Sequence, residues 1–267
     1  MNRFFLHYFL IGLLVVAAAL ISAIPVAARP LDLWDPDKRI VAMQLVSSAE
    51  NSSLDWEAQF AYIEDIGDGR GYTGGIIGFT TATGDLLEVV EDYSRRRPKN
   101  GLAVYLPALR KVNGTDSHQG LGSGFEQAWE AAALDGEFRA AQMAICDRNY
   151  FSPAVKLAKS DGLGILGQFI YYDAAVVHGL GENQGQTLEA IRATAQAQAR
   201  PPSRGGQEAA FLKAFLDARD PVMASEEAHR DLSRTIAQRK FLAEGKFALQ
   251  LPLDWVIYGD RYHLPIE

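Results

Sequence analysis

The sequence predicts a mainly α fold, formally α+β, with a small β element set among many helices. Three observations lead there. Apolar residues recur at helical spacing along most of the chain, and strand signals gather in one stretch between residues 60 and 81. The composition, 48% hydrophobic and 22% charged over 267 residues, suits an ordinary globular chain with one sizeable core.

Taken in order, the elements begin at Asp35-Pro36. There an acceptor side chain precedes a proline that needs no hydrogen-bond partner, and Ile40, Val41, Leu45 and Val46 share one side of a helix running toward Ser48. Residues 60–63 alternate as a strand does, 67–75 are turn-rich, and 76–81 are apolar and β-branched. Helical spacing returns over 86–93, 125–134 and 138–148. The stretch 163–177 is apolar and long enough for a central buried helix. Helices over 188–199, 208–218 and 225–242 complete the second half, with 200–206 as a loop between two of them.

The first segment has the form of an export signal. Arg3 precedes a nearly all-apolar run over 4–24, and Val26-Ala27-Ala28 offers small residues before Arg29. Residues 1–28 are expected to be a cleaved signal peptide, which makes the protein secreted. The run exceeds the ~7–15 residues usual for such a region and approaches the ~20 that span a bilayer, so a retained anchor, periplasmic or membrane-bound, is the alternative. The remaining 29–267 read as a single domain, without repeat, low-complexity block or linker.

With 26 basic and 33 acidic residues the net charge is −7, which disfavours nucleic acid as a partner and favours a cationic one. Cys146 is the sole cysteine, so stability must come from packing; it is expected to be a buried thiol. No obligate protein partner is evident, and a monomer is expected.

Chemistry should sit where the β signals are. Glu50 stands where the first helix gives way to Asn51-Ser52-Ser53, and Asp68 stands in the glycine-rich run, so a carboxylate lies on each side of a predicted strand. Cleaving a glycosidic bond needs an acid at the leaving oxygen and a second carboxylate on the other face of the sugar. As residue types alone, both also fit a solvated surface. The glycine run has no Gly-Lys-Ser/Thr of a phosphate loop and no helix start after its glycines. It is not an EF-hand: counted from Asp65, the third and fifth positions are Gly67 and Gly69, and the twelfth is Ile76. Its five glycines between 67 and 75 exceed what one turn requires and suggest backbone close under a bulky ligand.

Ser47-Ser48-Ala49-Glu50-Asn51-Ser52-Ser53-Leu54-Asp55-Trp56, followed by the run from Tyr62 to Phe79, resembles the catalytic signature of glycoside hydrolase family 46 chitosanases. The resemblance continues through Tyr105-Leu106-Pro107, Gly167-Gln168-Phe169-Ile170-Tyr171-Tyr172-Asp173, Phe215-Leu216-Asp217-Ala218-Arg219 and Tyr258-Gly259-Asp260. It implies a lysozyme-like fold of two lobes around a substrate cleft. It also implies endo-hydrolysis of the β-1,4 bonds of chitosan with inversion, and no cofactor or metal. By the same resemblance Glu50 is the general acid, Asp68 the general base and Thr73 a positioner of water. A buried network of Asp173, Arg219 and Arg234 would steady the acid. Asp85 and Glu226 would accept glucosamine ammonium groups, helped by Arg70, Tyr62 and His229. Arg230 stands where some relatives carry an acid.

Residue by residue, plainer roles compete. Asp85 lies at a helix start and Glu226 on an exposed helix face, His178 reads as a structural donor, and Trp56, Trp129 and Trp255 read as packing anchors. Two other functions stay open at this level: a lysozyme- or chitinase-type hydrolase of N-acetylated sugar, and a non-catalytic polysaccharide-binding protein.

Overall fold

The first helix begins where its sequence signals place it. In the computed structural model, which describes residues 32–181 and 186–266, the Asp35 carboxylate accepts from the backbone N–H groups of Asp37 and Lys38, and Pro36 opens α1 (Pro36–Glu50). The expected signal peptide, 1–28, lies outside the described residues. Eight residues between Val41 and Ala49 are buried, so α1 is held by its inner face and delivers Glu50 at its last position.

The β element is smaller than expected and shifted. A 3-10 turn, Ala58–Ala61, buries Phe60 and takes up the first half of the first predicted strand, so β1 is Ile63–Asp65. It pairs antiparallel with β2 (Tyr72–Gly74), which pairs with β3 (Phe79–Thr80), placing Glu64 opposite Thr73 and Thr73 opposite Thr80. Of the predicted strand 76–81 only the end pairs, because Gly78 N–H donates back to Gly75 O and closes a tight turn.

Some glycines of this region are required by the protein's own packing. Gly67, Gly69, Gly71 and Gly75 all have positive φ, and at Gly71 and Gly74 neighbouring protein atoms leave no room for a side chain. A Cβ on Gly71 would overlap the Thr81 hydroxyl and press on Asp116 Cα at 3.1 Å, whereas one on Gly69 would meet nothing within 4 Å. Both sites have left-handed backbone, so Gly69→Ala should cost on the order of 1 kcal/mol and Gly71→Ala clearly more, about 3 kcal/mol. Thermal unfolding of the two variants checks the order; equal losses would mean that backbone conformation alone matters there.

Helices follow: α2 (Asp85–Arg96), α3 (Leu106–Val112), α4 (Ser123–Ala132), α5 (Gly136–Cys146) and α6 (Ser152–Ser160), the last two joined by a π-type turn, Asp147–Phe151. Next come α7 (Ile165–His178), α8 (Leu188–Gln198), α9 (Glu208–Ser225) and α10 (Ser233–Ala243). The central helix α7 is buried at every position from Ile165 to Ala175, as its apolar run requires. α3 and α6 have no counterpart among the predicted helices, and two boundaries differ most from expectation. α9 runs on through Pro221 to Ser225, although a proline there forfeits one helical hydrogen bond. α10 then starts eight residues later than predicted, after a 3-10 turn at Glu227–His229 and a left-handed Leu232 (φ 58°).

The C-terminal hairpin, β4 (Leu253–Ile257) and β5 (Asp260–Leu264), is absent from the sequence reading. It turns at Tyr258 (φ 54°) and Gly259 (φ 92°), the two positive angles of a tight hairpin loop. Leu253, Trp255 and Ile257 face inward. Trp255 stacks on Tyr262 with ring centroids 5.5 Å apart, and its Nε1 donates to Ser48 Oγ at 3.0 Å. The hairpin thus braces the last turn of α1, two residues before Glu50. Trp129 is fully buried, so both it and Trp255 are packing anchors as expected. Cys146 is buried 3.4 Å from the Tyr172 hydroxyl, and burial pushes its thiol up to about 12, which leaves it inert at ordinary pH.

Candidate active site

Glu50 emerges at the end of α1 with its side chain 26% exposed, one oxygen held from below. Arg234 Nη1 donates to Glu50 Oε1 at 2.6 Å, while Arg234 Nη2 donates to Asp173 Oδ1 at 2.7 Å. The second oxygen of Asp173 accepts from Arg219 Nη1 and from Gln238 Nε2, each at 2.7 Å. Asp173, Arg219 and Arg234 are all at most 3% exposed. Burial alone would push the Asp173 carboxyl up; the charges of Arg234 and Arg219 and their hydrogen bonds outweigh it and hold the group well below the usual carboxylate range. Two buried cations share one buried anion, and Arg234 also reaches out to Glu50 at the surface. Such a network is stable only while every member is paired. The three network residues named from the sequence are therefore brought together against Glu50.

Gln238 and His178 belong to the same network and were not assigned to it from the sequence. Gln238 had a signal: it lies four residues after Arg234, hence on the same face of α10. His178, the last residue of α7, accepts through Nε2 from Arg219 Nε at 3.1 Å, which corrects its expected role as a donor. Burial, and then the Arg219 charge, push this histidine down to about 3. An unfolded histidine takes its proton near pH 6.5, so between about pH 6.5 and 3 the unfolded chain binds more protons and stability is lost as pH falls. Asp173 acts with the same sign further down: its contribution is present above about pH 4 and is lost below it. The melting temperature should therefore drop between pH 7 and pH 4, and His178→Gln, which keeps an acceptor without a titrating ring, should flatten that drop. An equally steep drop in the variant would acquit His178.

Asp68 stands apart from this network, in the exposed turn between β1 and β2. Its Oδ1 accepts from the Arg70 N–H at 2.9 Å and its Oδ2 from Arg70 Nε at 2.6 Å, so Arg70 neutralises the carboxylate locally. Thr73, in the middle of β2, is buried, and its hydroxyl has no hydrogen-bond partner among the described residues. Tyr62 sits at the entry to β1, its hydroxyl 3.4 Å from Glu64; burial, and then the charges of Glu64 and Asp68, raise it.

The remaining named residues fall into two groups. Asp85 opens α2 and is 5% exposed: Oδ1 accepts from the Thr80 N–H and the Thr83 hydroxyl, and Oδ2 accepts from the Tyr150 hydroxyl at 2.6 Å. Burial pushes its carboxyl up against these hydrogen bonds. Glu226 is not on a helix face but just past the end of α9, 45% exposed and 3.7 Å from His229 Nε2. His229 is lowered by burial and by the Arg234 charge, and its Nδ1 lies 3.4 Å from the Tyr258 hydroxyl at the hairpin tip. Glu226, His229 and Tyr258 thus form a second polar cluster, electrostatically linked to Glu50 and Arg234. Among the described residues no group of three or more His, Cys, Asp or Glu side chains is arranged to hold a metal ion.

A family model for glycosyl hydrolase family 46 matches residues 44–253, a span holding every site residue just described except Tyr258 at the hairpin tip. The chain belongs to that family. It is 58% identical over 231 residues to a chitosanase of Streptomyces sp. (strain N174), across 86% of this chain and 83% of the relative. It is 54% identical over 254 residues to a chitosanase of Nocardioides sp. (strain N106), across 93% and 91%. Among solved structures, a chitosanase co-crystallised with substrate superposes at a TM-score of 0.85 with 57% identity, covering 88% of this chain and all of the other. The family 46 chain is thus a glycoside hydrolase, and its fold is the mainly α, lysozyme-like one that the resemblance implied.

Proposed function

We propose that this family 46 hydrolase is an endo-acting chitosanase that cleaves the β-1,4 bonds between glucosamine units with inversion. The observation that carries the reading is the hold on Glu50: a buried Asp173–Arg234 pair grips one carboxyl oxygen of a side chain that is 26% exposed at the end of α1. Arg234 occupies Oε1, so the proton to be donated belongs on Oε2. As that proton passes to the departing sugar, Glu50 becomes a carboxylate already facing a guanidinium, and the developing charge is stabilised without any rearrangement. Asp68, as the base, draws a proton from water attacking the opposite face of the ring. The unpartnered Thr73 hydroxyl, on the strand that leaves the Asp68 turn, would orient that water.

Chitosan suits the remaining groups. The net charge of −7 attracts a polycation, and Glu226 and Asp85 would accept its ammonium groups. Arg70, Tyr62 and His229 would add hydrogen bonds to the sugars. The two relatives and the substrate-bound structure, all chitosanases, support the same substrate. Incubation with highly deacetylated chitosan should shorten the chains rapidly, with oligosaccharides appearing from internal cuts. Binding without chain shortening, or cleavage of N-acetylated polymer alone, would overturn the reading. We also propose that residues 1–28 direct export and are removed; N-terminal sequencing of the secreted protein should then begin near Arg29, and Met1 or Asn2 would indicate a retained anchor.

A further inference from the structure

We infer that His118 is a positioning residue for the reaction, acting through Asp65 to hold the turn that carries Asp68. The inference rests on the reading of Asp68 as the base. That turn is poorly suited to place a catalytic group by itself: it is exposed, and Gly67, Gly69 and Gly71 lend it three left-handed positions and no side chains. A catalytic group must nevertheless be fixed to a fraction of an ångström. Restraint has to come from outside the turn.

One loop, residues 113–121, reaches both ends of it. At the far end Asp116 and Thr81 close over Gly71, and Arg70 O accepts from the Thr81 hydroxyl at 3.0 Å and from the Ala82 N–H at 3.2 Å. At the near end the contact is His118, whose Nε2 lies 3.1 Å from Asp65 Oδ2. The other Asp65 oxygen accepts the Gly67 N–H at 2.8 Å, so a single carboxylate joins the imidazole to the backbone of the turn. The imidazole is in turn wedged by Tyr72, the cross-strand partner of Asp65, with ring centroids 4.5 Å apart. Tyr72 is fixed by a 2.7 Å hydrogen bond from its hydroxyl to Glu126 on α4. The loop has its own anchors, since Gly114 N–H donates to Thr81 O at 2.9 Å and Thr115 Oγ1 to Val112 O at 2.6 Å. The two atoms meet without the alignment of a hydrogen bond, so the restraint on Asp65 is one of close polar contact. Neither His118 nor Asp65 is needed for the hydrophobic core, and Asp65 is exposed. A chain of contacts therefore runs from α4 through Tyr72 and His118 to Asp65 and the Asp68 turn.

The test compares His118→Ala, His118→Gln and Asp68→Asn on chitosan. His118→Ala should lower kcat about tenfold, the scale of a small misplacement of a reacting group, while KM stays within twofold. Its amides at Gly67 and Arg70 should exchange with solvent several-fold faster, with the melting temperature nearly unchanged. His118→Gln, which keeps a polar group of similar reach beside Asp65, should recover most of the lost turnover. A His118→Ala enzyme within twofold of wild-type kcat, a defect confined to KM, or a glutamine variant no better than alanine would each overturn the inference. Wild-type turnover in Asp68→Asn would instead remove the base, and this inference with it; an inactive Asp68→Asn beside a normal His118→Ala removes His118 alone.

Discussion

Replacing Arg234 with alanine is expected to cost both turnover and melting temperature. Arg234 is the only described group that touches both Asp173 and Glu50, at 2.7 and 2.6 Å, and it is itself buried. Its loss leaves Asp173 facing Arg219 and Gln238 alone and leaves a void where a guanidinium stood. Breaking a buried charge pair by removing one partner typically costs about 3–5 kcal/mol, which for a chain of this size is on the order of 10 °C in melting temperature. Turnover should fall on the order of a hundredfold or more, because Glu50 loses both its anchor and the cation that meets its developing charge. Arg234→Lys keeps the charge but not the fork that reaches two carboxylates at once, and should fall in between. Calorimetry with initial rates on chitosan reads both effects; unchanged melting and unchanged turnover would remove Arg234 from the account.

Glu50→Gln should produce the larger kinetic loss with little structural cost. Glutamine keeps the length of the side chain and an oxygen for Arg234 Nη1, and Glu50 is partly exposed, so the fold has little to lose. What disappears is the proton. General acid catalysis contributes about 10²–10⁴-fold, and with a poor leaving group such as a sugar oxygen the loss should lie toward the upper end. KM should change little, since the substituted atom acts only during bond cleavage. A variant with wild-type turnover would end the assignment of Glu50 as acid.

How much of this was legible in the sequence depended on how local the determining forces were. Asp35-Pro36 fixed the start of α1 because its cap is made within four residues, and the apolar run of α7 could only be a buried helix. The end of α9 was misjudged because packing of Phe215, Leu216, Arg219 and Met223 carries the helix past a proline that local preference would stop at. The C-terminal hairpin escaped notice since its alternation spans just five residues, Leu253 to Ile257, and its value lies in a bond to Ser48, 207 positions away. The side-chain contacts divided along the same line. The grouping of Asp173, Arg219 and Arg234 beside Glu50 was recoverable through motif resemblance. The acceptor role of His178 and the contact of His118 with Asp65 depend on which loops meet in space, and no periodicity records that.

The central claim is that two carboxylates work on opposite faces of one sugar, Glu50 giving a proton and Asp68 taking one. Proton NMR of the reducing end released in the first moments of chitosan hydrolysis, before the anomers equilibrate, tests it most directly. Attack by water opposite the leaving group must yield the α anomer first; the β anomer first would mean retention, a covalent intermediate, and a different role for Asp68.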